Sequence, residues 1–310
     1  MSNSVFSEGA GVQQIENSTL LVVFNFLQIF GFFALGIIVL TAWLAPTVHR
    51  TGAWYSFMGS WMSFYFLIAG QQEGAQPNLS VCIVQAAFVY AAPPLTSTVS
   101  VAFLLHLFST VSTIFTSSNR SRNWRVVMHL FPFAVHFVIF LETLIVGLAN
   151  SDKVFRDRTG MFCSFNNIPF QLKLTSAVVI LDMIAMLVLE ALTFVLLRRN
   201  WAAFKRLRVR SNGTLSLPLM IRVSLFSFLP MIAMVLGTMS FMPDPPISEA
   251  QSNVVVAFLP TAAAVIFGTQ QDILRVWMFW KNSTTVVSRE AGARLKPNFV
   301  NGPRPNDSPV

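Results

Sequence analysis

The chain has 310 residues, of which 54% are hydrophobic and only 11% are charged, whereas soluble domains carry about 25% charged residues. This composition excludes an ordinary soluble domain. The formal net charge of +8 does not indicate nucleic-acid binding, because the basic residues concentrate in the loops between apolar stretches.

Long stretches of the chain contain no Asp, Glu, Lys or Arg, namely 17–49, 51–72, 74–119, 223–243 and 250–271. A bilayer core about 30 Å thick requires roughly 20 apolar residues of helix, and a helix satisfies its own backbone hydrogen bonds there. We therefore expect an all-α polytopic membrane protein, a seven-transmembrane helix bundle over residues 20–269. Its predicted spans are 20–45, 54–71, 82–116, 126–149, 171–197, 219–242 and 253–269.

The third predicted span is longer than a bilayer requires. At about 1.5 Å per residue, its helix would reach roughly 52 Å, so it must tilt, protrude or break. Pro93 and Pro94 are where we expect a kink. Pro132 and Pro230 predict kinks in the fourth and sixth spans.

The residues outside the bundle divide into three segments. Residues 1–19 are predicted to form an extracellular tail, and the polar residues 282–310 are expected to form a disordered cytoplasmic tail. Residues 270–281 predict a short amphipathic helix on the membrane surface. Its apolar residues are Ile273, Leu274, Trp277 and Trp280, and its charged residues are Asp272, Arg275 and Lys281.

The distribution of basic residues predicts the orientation. With the N-terminus outside, 17 of the Lys and Arg residues fall in cytoplasmic segments and 4 in outer segments, as the positive-inside rule requires. Residues 1–19 hold no Lys or Arg, so no cleavable signal peptide is expected. We expect a multi-pass plasma-membrane protein with a cytoplasmic C-terminus. Asn17 and Asn78 begin outer sequons and are candidate glycosylation sites, although unused sequons are equally common.

Both cysteines fall on the predicted outer side. Cys82 stands at the start of the third span and Cys163 in the second outer loop, residues 150–170. A disulfide persists in that oxidising environment, and the chain holds no other cysteine. We therefore predict a Cys82–Cys163 disulfide that ties the loop over the mouth of the bundle; two free thiols are the alternative.

Several features together resemble the G-protein-coupled receptors. These are seven spans with the N-terminus outside, a cysteine at the top of the third span with a partner in the second outer loop, and an amphipathic helix after the last span. Ser227-Phe228-Leu229-Pro230 is similar to the Cys-Trp-x-Pro hinge of the rhodopsin-like class. The resemblance implies that Phe228 and Pro230 form a hinge in the sixth span.

A more distant likeness is to the fungal mating-pheromone receptors. It rests on Phe267-Gly268-Thr269 at the end of the seventh span, and on Arg222 at the start of a sixth span that contains Pro230. The chain departs from many receptors at the inner end of the third span, residues 109–116. No acidic-Arg-aromatic triplet occurs there, so the ionic lock of those receptors is not carried over.

Ionisable residues inside the predicted spans are candidates for ligand binding, because they are costly in a bilayer and usually face the bundle interior. We expect Glu142 and Asp182 to line an outward-facing cavity, where they would meet a cationic or amide group. Tyr90 could reach the same cavity below the second outer loop. Interhelical hydrogen bonding is the alternative for both carboxyl groups. The pattern predicts no catalytic pair and no metal site.

The third inner loop is the candidate for effector coupling. It continues the fifth span as a basic helix with two aromatic residues, which suits a G-protein α subunit or acidic lipid headgroups. Simple positive-inside charge is the alternative. The candidate coupling residues are Lys205, Arg206, Arg208 and Arg210.

The function expected from these observations is that of a cell-surface receptor. It would bind an extracellular ligand and signal through a heterotrimeric G protein, with membrane lipids as further partners and no cofactor. A seven-helix transporter or a non-signalling accessory protein is the alternative, although no internal repeat supports a transporter. A retinal pump is disfavoured because residues 253–269 contain no Lys, and an enzyme is not expected.

Overall fold

In the computed structural model, the residues that the structure describes are 18–48, 50–62, 71–116, 122–166, 169–201, 222–223, 225–226, 228–233 and 248–278. Most of them are helical. The helices are α1 (Ser18–Leu44), α2 (Gly52–Ser60), α3 (Leu79–Thr116), α4 (Arg122–Ala149), α5 (Pro169–Arg199), α6 (Glu249–Gly268) and α7 (Gln271–Trp277). The described residues between 222 and 233 are also helical and are called the 222–233 segment.

Five helices, α1, α3, α4, α5 and α6, are long and apolar enough to cross a membrane. They coincide with the predicted first, third, fourth, fifth and seventh spans. Their outward faces are apolar, as Phe26 and Leu181 illustrate with exposed fractions of 64% and 67%. Such a surface matches lipid rather than water, so the chain is a helical multi-pass membrane protein. The spans 54–71 and 219–242 are described only in part, and the count of seven stays a prediction.

Helix α1 packs along α6. Its buried positions follow a spacing of three and four residues, which places them on one face. Gly31 lies on this face at the closest approach, where an added Cβ would stand 2.8 Å from the Cβ of Pro260. Thr261 donates its hydroxyl hydrogen to the Leu27 carbonyl at 3.2 Å. The buried residues of α1 are Leu21, Phe24, Gln28, Gly31, Leu35, Ile38 and Ala42.

Helix α3 contacts α2, α4 and α5 and continues through Pro93 and Pro94 without a break. Pro94 has no N–H for the Tyr90 carbonyl one turn earlier. Thr175 of α5 donates to that carbonyl at 3.1 Å, and His136 of α4 has its Nδ1 3.0 Å from the Ala91 carbonyl oxygen. The Tyr90 carbonyl that Pro94 leaves free and the adjacent Ala91 carbonyl therefore join α3 to α5 and α4.

A small β-hairpin follows α4 and a short 3-10 turn at Ser151–Lys153. Its strands are β1 (Val154–Arg156) and β2 (Cys163–Phe165), paired antiparallel with Arg156 opposite Cys163. The hairpin was not predicted, because each strand has only three residues and leaves no recognisable alternation. Among the described residues it is the only β-structure, and the structure remains consistent with the predicted all-α membrane protein. We call this side of the bundle the hairpin end.

Candidate functional site

A cavity of about 310 Å³ lies inside the bundle. This volume is at the lower end of the range of about 300–1,000 Å³ that is common for small-molecule sites. Helices α1, α2, α3, α5 and α6 and the 222–233 segment all contribute to its wall. Its larger side chains include Phe57, Trp61, Pro93, Leu104, Met183, Phe226, Pro230 and Pro260.

The wall of the cavity is chiefly apolar. Among the described residues that line it, none is charged. The polar groups are hydroxyls, one amide and one indole N–H, the last buried without a hydrogen-bond partner in the described part of the chain: Gln28, Ser60, Trp61, Thr96, Ser97, Ser100, Thr175 and Ser176. Because burying an unpaired charge is costly, this wall favours an uncharged occupant.

The three predicted ligand-binding residues stand around the cavity and are not among the described residues of its wall. Asp182 is bonded directly to a residue of the wall, because its Oδ2 accepts a hydrogen bond of 2.6 Å from the hydroxyl of Ser97. Glu142 accepts a bond of 2.7 Å from the Gln171 amide, which joins α4 to α5. The ring of Tyr90 packs against Phe165 of β2, with centroids 5.4 Å apart. Both carboxyl groups make the interhelical hydrogen bonds of the alternative interpretation, and ligand contact stays a prediction.

The predicted disulfide is confirmed. Cys82 at the start of α3 is bonded to Cys163 of β2, with Cα atoms 5.4 Å apart. A second link lies beside it, because the Cys163 N–H donates to Oε1 of Gln85 at 2.9 Å. Gln85 is fully buried. The hairpin is thereby fixed on α3 by one covalent bond and one buried hydrogen bond.

Arg156 fixes the hairpin to the chain just before α3. Its guanidinium donates to the carbonyl oxygens of Gln71, Gly74 and Ala75 at 2.8–3.0 Å, and only 3% of the residue is exposed. Sequence reasoning counted Arg156 only as an outer-loop charge. The three carbonyl partners lie about 80 residues away, and no local pattern indicates such a contact.

The hairpin turn reaches the opposite wall of the bundle. Met161 is fully buried and packs with Leu21 and Phe24 of α1 and with Ala250 and Ala257 of α6. The hairpin therefore spans from α3 to the α1–α6 pair. It forms a lid across this end of the bundle.

An aromatic cluster lies beside the cavity and joins three helices to the 222–233 segment. Phe57 of α2 has its ring 4.9 Å from Phe103 of α3, 5.7 Å from Phe226 and 5.5 Å from Phe267 of α6. Phe226 is buried, whereas the hinge candidate Phe228 is 49% exposed. Pro230, the other hinge candidate, lines the cavity. The aromatic side chain that faces the core is thus Phe226, two residues before the one singled out by the sequence pattern.

Two arginines tie together the end of the bundle opposite the hairpin, which we call the arginine end. Arg222 donates to the carbonyl oxygens of Ile266 and Thr269 and to the Thr269 hydroxyl, at the C-terminal end of α6. Cations suit such an end because of its free carbonyls.

Arg50, in the link from α1 to α2, pairs with Asp272 and Gln270 at the start of α7. Its guanidinium lies 5.3 Å from the ring centroid of Trp54. Burial lowers the pKa of the Arg50 guanidinium, and the negative charge of Asp272 opposes that change. The two arginines therefore hold the 222–233 segment and the α1–α2 link to the α6–α7 junction.

The remaining predictions concern the effector-coupling residues, the glycosylation sites, the two tails and the amphipathic helix. Lys205, Arg206, Arg208 and Arg210 and the sequon at Asn17 lie outside the described residues, as do the tails 1–17 and 279–310. Asn78 is exposed, and its Oδ1 accepts a bond of 3.0 Å from the Ser80 N–H, so it caps α3. Glycosylation at Asn78 stays a prediction. Helix α7 begins where the amphipathic helix is expected, with Ile273 buried and Trp277 donating to the Thr41 hydroxyl.

No protein-family model matches the chain, and no curated protein matches it.

Proposed function

We propose that this protein is a seven-helix cell-surface receptor that binds a ligand from outside and signals through a heterotrimeric G protein. The observation that carries the proposal is the cavity inside the bundle, bordered by Phe226 and Pro230, in a bundle whose hairpin end carries a disulfide-anchored lid. A chamber of this kind can couple occupancy to the position of the 222–233 segment. The proposal includes the orientation with the hairpin outside, which the basic loop residues support.

The proposed mechanism starts at the wall of the cavity. A ligand in contact with Phe226 and Pro230 would favour the arrangement of the 222–233 segment that accommodates it. Arg222 lies one helical turn before Phe226 and thus on the same face of that segment. A shift of Phe226 would therefore strain the bonds of Arg222 to the end of α6. Release of these bonds would let the segment swing outward and open a crevice for the G protein.

The test is nucleotide-sensitive capture of a heterotrimeric G protein by the detergent-purified full chain. Capture that survives nucleotide removal and is lost with a non-hydrolysable GTP analogue would support the receptor function. Absence of capture with representatives of every α-subunit class would contradict it.

The basic segment after α5 is the proposed contact for the α subunit. The variant with Lys205, Arg206 and Arg208 all changed to Ala is expected to lose capture, whereas Lys173→Ala, which removes a basic residue near the other end of α5, is the control. Unchanged capture in the triple variant would assign the basic residues to orientation in the membrane alone.

A transporter is the alternative that the same cavity supports, because a chamber between helices also suits a substrate in transit. Liposome flux assays distinguish the two. Flux without any nucleotide-sensitive capture would favour the transporter.

A further inference from the structure

Five of the six hydroxyl side chains among the described residues of the cavity wall, all except Ser176, already donate to an acceptor within the protein. Ser60 donates to the Phe57 carbonyl at 2.8 Å, Thr96 to the Pro93 carbonyl at 3.0 Å, and Ser100 to the Thr96 carbonyl at 2.6 Å. Thr175 donates to the Tyr90 carbonyl and Ser97 to Asp182. Since a hydroxyl has one hydrogen and two lone pairs, these five groups can still accept hydrogen bonds but have no hydrogen left to donate.

Ser97 is the strongest of these acceptors. Its hydroxyl donates to a carboxyl oxygen at 2.6 Å, and such a bond polarises the O–H group and strengthens its oxygen as an acceptor. Ser97 is 7% exposed and lines the cavity. It also lies in the stretch of α3 that follows the two prolines, close to Thr96 and Ser100.

The same wall disfavours an anion. Its donors are neutral groups, namely the Trp61 indole N–H, the Gln28 amide and the Ser176 hydroxyl, and none of the described lining residues carries a positive charge. A carboxylate or phosphate would lose its hydration without gaining a donor from the five committed hydroxyls.

A full positive charge is also disfavoured in the cavity. The Asp182 carboxyl stands behind Ser97 and is not among the described residues of the wall. A cation would therefore face the Ser97 oxygen rather than the carboxyl group itself.

From these observations we infer that the cavity binds an uncharged, chiefly apolar molecule whose one polar group donates a hydrogen bond, such as a hydroxyl or an amide N–H, to Ser97. The inference rests on the receptor function proposed above and specifies the chemistry of its ligand. Ser97 accepts the hydrogen bond from the ligand, and Asp182 positions and polarises the Ser97 hydroxyl. The apolar remainder of the molecule contacts Phe226, Pro230 and Met183.

The experiment uses the full chain in lipid nanodiscs and a long-chain aliphatic alcohol that carries a photoreactive diazirine. Saturable labelling is mapped by mass spectrometry, because labelling of lipid-facing positions does not saturate. Competitors of the same chain length are the alcohol, its methyl ether, the carboxylate and the alkylammonium. The ether retains the oxygen but cannot donate, so it isolates the hydrogen bond from the apolar contacts.

Saturable labelling on peptides that line the cavity is the expected result. The alcohol should compete about tenfold better than the ether, the size expected for one hydrogen bond of this kind. Ser97→Ala should remove this difference, and Ser109→Ala, a serine of the same helix that does not line the cavity, should retain it. If Ser97→Ala does not fold, Ala92→Phe serves instead, since it fills the cavity and should abolish saturable labelling.

Three outcomes would overturn the inference: no saturable labelling of the cavity, equal competition by alcohol and ether, or stronger competition by the carboxylate or the alkylammonium. None of them depends on G-protein capture. Cavity labelling without G-protein capture would support the inference and contradict the receptor function. Capture without cavity labelling would support the receptor function and contradict the inference.

Discussion

The interactions that hold the hairpin end of the bundle are covalent or buried, whereas those that hold the arginine end are partly exposed. At the hairpin end, one covalent bond, the buried Arg156 and the buried Met161 join the lid to α3, to the chain before it and to the α1–α6 pair. At the arginine end, Arg50 and Arg222 form bonds that are partly exposed. Solvent weakens the Arg50–Asp272 ion pair and the exposed hydrogen bonds of Arg222, so movement is expected at the arginine end, while the lid stays fixed.

Loss of the disulfide should give the largest effect. Cys82→Ser opens a loop of 81 residues, for which the chain-entropy model gives about 4–5 kcal/mol. We expect a large fall in the thermal unfolding midpoint of the purified chain and low surface expression. Cys163→Ser and the double variant should match it, since each removes the same bond. A midpoint equal to that of the unmodified chain would show that the lid needs no covalent anchor.

Arg156→Ala should be the next most damaging change. It leaves three carbonyl oxygens at the hairpin end without their donor, and bonds to a charged group contribute about 1.5–3 kcal/mol. The unfolding midpoint should fall by less than in the cysteine variants. The matched control is Arg158→Ala in the turn that follows β1, because Arg158 is exposed. Equal midpoints for the two variants would argue against the anchoring role of Arg156.

Gly31→Ala tests the packing of α1 on α6. The new Cβ would stand 2.8 Å from Pro260 Cβ and 3.1 Å from the Thr261 nitrogen, neither of which can rotate away. Overpacking of this kind costs about 1–3 kcal/mol. Gly36→Ala on the same helix is the control, since its Cβ would meet only the end of Met62 at 3.5 Å. Equal unfolding midpoints of the two variants would argue against the close contact between α1 and α6.

Arg50→Ala should cost about 1 kcal/mol or less, because the Asp272 side chain is 37% exposed and solvent screens the pair. A double-mutant cycle with Asp272→Asn measures the coupling. Arg275→Ala, at an exposed position of α7, should have no effect. A coupling free energy as large as the loss of stability caused by Arg156→Ala would contradict the expected difference in strength between the two ends.

Arg222→Ala should have the smallest effect on stability and a distinct effect on signalling. Its bonds to Thr269 are exposed, so the unfolding midpoint should change little. Basal nucleotide exchange by the captured G protein should rise, because the 222–233 segment is no longer held to α6. Arg222→Lys, which keeps the charge, should give an intermediate value. Basal exchange unchanged in both variants would contradict the proposed release.

Hydrophobicity and length were sufficient to predict five of the long helices to within a few residues. These signals are local, and the bilayer imposes them on each helix separately. The disulfide was also predictable, because the chain has two cysteines and both fall on one predicted side.

The lid and the cavity were not predictable in the same way, because both depend on contacts between distant residues. Arg156 donates to carbonyl oxygens in the chain before α3. Ser97 of α3 donates to Asp182 of α5. The acidic side chain of Asp182 stands out in an apolar span, but the serine that bonds to it and lines the cavity has no signature in the sequence. Phe226 and Phe228 differ by two positions in a helix, and only packing decides which of them faces the core.

The measurement that tests the account most directly is a pair of spin-label distances, one for each end of the bundle. Both native cysteines are in the disulfide, so introduced cysteines at exposed positions can be labelled selectively. Leu225 with Leu44 reports on the arginine end, and Asp152 with Leu79 on the hairpin end. With nucleotide-free G protein, the Leu225–Leu44 distance should lengthen by several ångströms and return with a GTP analogue, while the Asp152–Leu79 distance stays constant. No change at Leu225, or equal changes at both ends, would contradict the account.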